Sequence, residues 1–135
     1  MRPTGRRLVS IWLALALSLG PALAWADDRA VIVRTDQSAV VMTATTTGTG
    51  WLVERYTEAV VYIDVTAEVG TVTLDATVQT SPDNSIWATH TAFSQITGIS
   101  TNALKLTNLG RYVRIVYTIG GTTSFTLTSK ISLKT

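Results

Sequence analysis

Apolar side chains recur at every second position through three separate stretches of this chain, and that spacing restricts it to β-structure. In residues 71–79 the apolar series is Val72, Leu74, Ala76 and Val78, divided by Thr73, Asp75 and Thr77. In residues 111–119, Val113, Ile115, Tyr117 and Ile119 share one parity, with Tyr112, Arg114, Val116 and Thr118 on the other. Phe125, Leu127, Ile131 and Leu133 repeat the pattern, with Ser129 in their row. Successive strand side chains point to opposite faces, so each stretch offers one face to a core and one to water. No segment after the first 26 residues sustains helical spacing. The abundance of Thr, Val and Ile suits a pleated, half-buried surface.

Further strands are expected over residues 30–34, 39–44, 50–53, 59–66, 86–89 and 103–107. The turns agree. Pro82 presets φ in Ser81-Pro82-Asp83-Asn84-Ser85, and Asn84 tolerates the left-handed region. Gly120-Gly121 suits a two-residue hairpin. Between the strands ending at Thr66 and starting at Thr71, a four-residue loop over 67–70 is expected. It would set Val65 beside Val72, Ile63 beside Leu74 and Val61 beside Ala76, with Tyr62 across from Asp75. A two-residue loop would instead place Asp64 opposite Asp75, where like charges repel. Together these signals predict an all-β fold: one antiparallel β-sandwich or jelly roll of about eight strands.

The first 26 residues read as a signal peptide. Arg2, Arg6 and Arg7 precede an apolar run over residues 8–19; Gly20-Pro21 breaks it, and Ala24-Trp25-Ala26 supplies a small-residue cleavage site. The run is short for a membrane span. The expected domains are therefore a leader, 1–26, and a single β-sandwich, 27–135. Without the leader's three arginines, eight basic residues face nine acidic ones, so the net charge falls from +2 to −1. That balance excludes the phosphate-neutralising surface of a nucleic-acid binder. With no cysteine, an exported domain must hold by packing alone, which suits a bacterial protein that is secreted, periplasmic or at the cell surface. No membrane span is expected once the leader is removed.

The chemistry available is thin. His90 is the lone histidine, no Ser sits in a Gly-x-Ser-x-Gly elbow, and no metal-ligand spacing occurs, so neither enzyme activity nor a cofactor nor a metal is expected. His90 reads as a surface loop residue. Asp64 and Asp75 on a shared outer face could act as an acid–base pair or hold calcium, but solvated sheet charges are the simpler account. Aromatics are the better lead. Tyr62 and Tyr112 fall on outer parities, where rings can stack sugars or anchor a partner, or merely pair across strands. Arg114 on the outer parity could grip a carboxylate in two-point fashion. The candidate ligand-binding set is thus Tyr62, Tyr112, Arg114 and Asp75. Trp87, just after a turn, is expected to plug the core.

The run Gln79-Thr80-Ser81-Pro82-Asp83-Asn84-Ser85-Ile86-Trp87, with Phe93 and then Gly110-Arg111-Tyr112-Val113-Arg114-Ile115, resembles two groups. One is short phage and prophage β-sandwich proteins of unassigned role, over roughly residues 38–133. The other, over the second half only, is the discoidin (F5/8 type C) jelly roll, with Asn84 where those families usually carry Gly. The resemblance implies a sandwich fold and leaves the ligand open, since such motifs describe a turn and a strand.

Two functions follow as expectations. One is an exported, non-enzymatic binding module for a glycan or a surface partner. The other is a phage-type virion accessory (decoration) protein, or a self-assembling surface structural protein, associating through its edge strands.

Overall fold

The computed structural model describes residues 31–121 and 124–135. The predicted leader, Asp27-Asp28 and Thr122 lie outside them.

Nine strands form two antiparallel sheets: β1 (Val31–Met42), β2 (Thr46–Thr47), β3 (Trp51–Leu52), β4 (Glu58–Val69), β5 (Val72–Ser81), β6 (Ala88–Ala92), β7 (Ser100–Thr107), β8 (Tyr112–Gly121) and β9 (Ser124–Lys134). One sheet runs β1-β9-β4-β7. The other runs β2-β8-β5-β6, with β3 also on β8. The sandwich expected from the alternation is what forms. Ala59, Val61, Ile63 and Val65 of β4 and Phe125, Leu127, Ile131 and Leu133 of β9 are buried from one side. Val72, Leu74, Ala76 and Val78 of β5 and Val113, Ile115 and Tyr117 of β8 are buried from the other. Met42 of β1, Leu106 of β7, and Val53 and Ile96 from connections complete the core.

The predicted pairing of β4 with β5 is wrong. β4 lies between β9 and β7, and β5 lies between β8 and β6, in the other sheet. Val61, Ile63 and Val65 therefore share a core with Leu74 and Ala76 without sharing a ladder. The chain crosses between sheets at Gly70, whose φ is 80°, while Val69 stays 62% exposed. Alternation is satisfied equally by a hairpin and by such an arch, because both send the same parity inward. Tyr62 consequently faces Ala103 and Lys130, and Asp75 faces Thr118. The hairpin expected at Gly120-Gly121 fails likewise, since β8 and β9 belong to different sheets. Gly121, at φ 98°, instead packs its α-carbon so close to the Thr71 carbonyl that a Cβ would collide.

Two expected early strands merge into the single β1, which is bulged between Thr35 and Gln37 and again between Gln37 and Val40. Ala39 sits at φ 51° there, and its amide donates to Thr128 Oγ1 at 3.0 Å. The turn after β5 forms as expected. Asn84 has φ 64°, and the buried Ser81 hydroxyl accepts from the amides of Asp83 and Asn84. Asp83 Oδ1 accepts from the amides of Ser85 and Ile86, both at 2.9 Å. These amides, Ile86 first and then Ser85, hold the Asp83 carboxyl well below the usual carboxylate range.

Candidate functional site

The outward parity of β8 and β5 builds a polar–aromatic face on the second sheet. Gln79 stands opposite Arg114, and Ser81 opposite Tyr112, while β3 adds Leu52 beside Tyr112. The turn after β5 folds Trp87 back over this face, so that the Arg114 guanidinium lies 4.1 Å from the centre of the indole. Arg114 Nε also donates to Gln79 Oε1 at 2.8 Å. Gly50 lets the indole approach: a Cβ there would come within 3.1 Å of Trp87 Cζ2 and Cη2. Arg111 sits 5.6 Å from the Tyr112 ring and pairs with Glu54 at 2.9 Å. Cationic groups over ring faces are held by the ring quadrupole, and Trp87, Tyr112 and Arg114 are each half-buried here.

Trp87 is thus no core plug. It is half-buried on the outer face, because the Ser81–Asp83 turn ends the inward parity of β5 before the indole is reached. Alternation carries no information across such a turn, so nothing in the sequence joins Trp87 to Arg114.

The four candidate ligand-binding residues do not converge. Tyr112 and Arg114 share the face just described. Asp75 is on that face but four positions along β5 from Gln79, roughly 13 Å away along the strand. Its carboxylate accepts from Gln95 Nε2 at 3.1 Å. Tyr62 is on the opposite outer surface of the sandwich, 43% exposed. Asp64 is there too, accepting from Thr101 Oγ1 at 2.6 Å. Both sheets therefore separate Asp64 from Asp75, and the carboxylate pair expected from the hairpin register does not exist.

His90 is not a loop residue. It lies in β6 at an irregularity of the β5–β6 ladder, and its Nε2 donates to the Thr107 carbonyl of β7 at 2.8 Å. Since a carbonyl only accepts, Nε2 carries the proton; Nδ1 is buried with no hydrogen-bond partner. The imidazole ties the edge of one sheet to the edge of the other. Among the described residues, no group of three or more His, Cys, Asp or Glu side chains is placed to hold a metal ion.

One buried polar cluster escaped the sequence reading. Tyr117 and Ser129, on the core parities of facing sheets, join hydroxyl to hydroxyl at 2.5 Å. Tyr117 also donates to Asp36 Oδ2 at 2.8 Å, and Asp36 Oδ1 accepts from the Thr49 amide at 3.0 Å. Burial pushes the Tyr117 hydroxyl far above its ordinary value, and the neighbouring Asp36 charge adds to that. The cluster fastens the bulge of β1 to the second sheet.

No family model matches the chain, and no curated protein matches it. Among solved structures, the SPBc2 prophage-derived protein YomS is similar, with a TM-score of 0.55 at 10% identity. The match covers 79% of this chain and 95% of that one. At such low identity the likeness is one of fold: the two chains share a β-rich architecture.

Proposed function

We propose that this chain is a non-enzymatic, phage-type accessory or surface structural protein that associates with its own copies through the free edge of β1. The observation that carries this reading is the character of that edge. β1 ends its sheet, and among the described residues no strand pairs its outer side. Val31 and Val33 are each 59% exposed and Val41 is 60% exposed. Natural sheets blunt their edges with lysines, prolines, short strands or bulges. The other edges follow that rule: β6 is 5 residues long, and β7 carries Lys105, paired with Glu58 at 3.2 Å. In β1 the bulges begin only after Thr35, leaving residues 31–35 regular, with Val31, Ile32 and Val33 apolar.

An antiparallel approach of two copies about Val33 sets each Val33 opposite the other. Ile32 then stands opposite the second copy's Arg34, and Val31 opposite its Thr35, so no like charges face. Sedimentation velocity on the purified protein tests this. Dimers or larger species that Val33→Lys converts to a folded monomer support the reading. A wild-type protein that stays monomeric at high micromolar concentration refutes it. Export to the periplasm, the cell surface or the medium belongs to the same proposal, and amino-terminal sequencing of the recovered protein, with Asp27 expected first, tests it.

The outer face of the second sheet favours a second reading, a binding module for a glycan or surface partner. Trp87, Tyr112 and Leu52 offer ring and apolar surface beside two guanidinium groups. A glycan array on which wild type is retained, and Trp87→Ala with Tyr112→Ala is not, supports that reading. Equal retention of both counts against it.

A further inference from the structure

Apart from the aromatic face and the β1 edge, the sandwich has a concave site at its open side. A groove of about 280 Å³ is lined by Arg34 of β1 and by Leu52, Glu54, Arg55 and Tyr56, at and after β3. The ladder explains why Arg34 points there. It stands opposite the buried Ile131 in the β1–β9 register, so it has core parity. Arg34 is nevertheless exposed, so its inward position opens on the groove instead of the core.

The wall formed by the 53–57 segment is fixed. The Val53 amide donates to the Arg111 carbonyl at 2.8 Å, the Tyr56 amide to the Val53 carbonyl at 2.9 Å, and the Thr57 amide to the Lys134 carbonyl at 3.0 Å. Tyr56 packs against the core cluster, so its ring is a firm surface, and Leu52 adds an apolar one. The charges are unequal. Glu54 is neutralised by Arg111 at 2.9 Å, whereas no acidic side chain lies within ion-pair distance of Arg34 or Arg55 among the described residues. Two exposed guanidinium groups beside an aromatic and an apolar wall suit a compact oxyanion carried on a ring. The volume sits just below the roughly 300 Å³ at which drug-sized sites begin, which suits one ring and one charged group.

We propose that this groove binds an acidic sugar unit, its carboxylate or phosphate held by Arg34 and Arg55 and its ring laid on Tyr56 and Leu52. The groove shares Arg34 with the proposed β1 edge contact, where its backbone stands opposite the second copy's Ile32, but its side chain lines the groove, so the titration is run on the Val33→Lys variant as well as on the wild type.

The test is a heteronuclear NMR titration of the purified protein with glucuronate, glucose 6-phosphate, glucose, inorganic phosphate and a short polyaspartate peptide. Saturable shifts of the residue 34 and 52–56 amides by either charged sugar, with glucose and phosphate at least tenfold weaker, are expected. Whichever charged sugar binds more tightly identifies the oxyanion. Arg34→Gln and Arg55→Gln, each with an otherwise unchanged spectrum, should weaken binding at least tenfold. Equal binding by glucose or by phosphate alone overturns the proposal, as does tighter binding of the peptide. Shifts that map to Trp87 and Tyr112, or undiminished affinity in both arginine variants, overturn it as well.

Discussion

Removing the Tyr117 hydroxyl tests whether the buried cluster fastens the two sheets. Tyr117→Phe keeps the ring, which is fully buried, so packing changes little. It deletes a hydrogen bond to the Asp36 carboxylate, worth about 1.5–3 kcal/mol for a charged acceptor. It also strands the Ser129 hydroxyl, which is fully buried and has Tyr117 as its partner. An orphaned buried hydroxyl costs about 1–3 kcal/mol, part of it recoverable if Ser129 turns to a backbone carbonyl. The expected loss is therefore about 2–3 kcal/mol, a fall in Tm of roughly 10 °C or more for a domain of this size. Ser129→Ala leaves the Asp36 bond in place and should cost about 1 kcal/mol. Combining the two removes the orphan, so the double variant should be at least about 1 kcal/mol more stable than the summed single losses predict. Urea titration followed by tryptophan fluorescence measures all three. A Tyr117→Phe loss under about 0.5 kcal/mol, or strict additivity in the double variant, would show that the hydroxyls do not act as a unit. The same series reads out in alkali. Because the folded state holds the Tyr117 proton to higher pH than the unfolded chain does, its contribution is intact below about pH 10. It is lost as pH rises further, by up to about 1.4 kcal/mol per pH unit. Tyr117→Phe should flatten that part of the curve.

Leu74→Ala empties a fully buried position of the core and should cost about 2–5 kcal/mol in urea unfolding; a loss under 1 would mean the core closes over the gap. Asp83→Ala should lower Tm at neutral pH, with the deficit shrinking as pH falls below about 4. The depressed carboxyl contributes only while the unfolded chain's carboxyl would also be ionised, and a deficit that does not change with pH would assign the effect to something other than charge. Gly121→Ala must strain a φ of 98° and meet the Thr71 carbonyl, so a destabilisation of about 1–3 kcal/mol is expected by thermal melting. An unchanged melting temperature would contradict the tight crossing described for that end of the sandwich.

Which side chains are inside was legible; which strands are neighbours was not. The β5, β8 and β9 parities read from the sequence match the buried rows, including Ser129, whose place among apolar residues is now explained by Tyr117. Asn84 entered the left-handed region as its side chain permits. The pairing of β4 with β5 failed because loop length and charge repulsion decide a register only within one sheet, whereas residues 67–70 link two. Like charges at Asp64 and Asp75 were avoided by the fold more simply than by register: each went to a different outer surface.

The same limit explains what was missed in the candidate sites. Parity assigns a residue to a face only while the strand continues, and each functional feature found here arises where a strand stops or slips. Trp87 reaches Arg114 after the Ser81–Asp83 turn reverses the chain. Asp36 reaches Tyr117 from within the bulged part of β1. Arg34 keeps core parity, yet is exposed and opens on a groove. A charged residue on an inward parity would ordinarily be a contradiction, since burial of an unpaired guanidinium is prohibitive. It therefore marks the place where the sandwich is uncovered. The β1–β9 register is what gives Arg34 that parity, so the groove becomes legible only once the strands are paired.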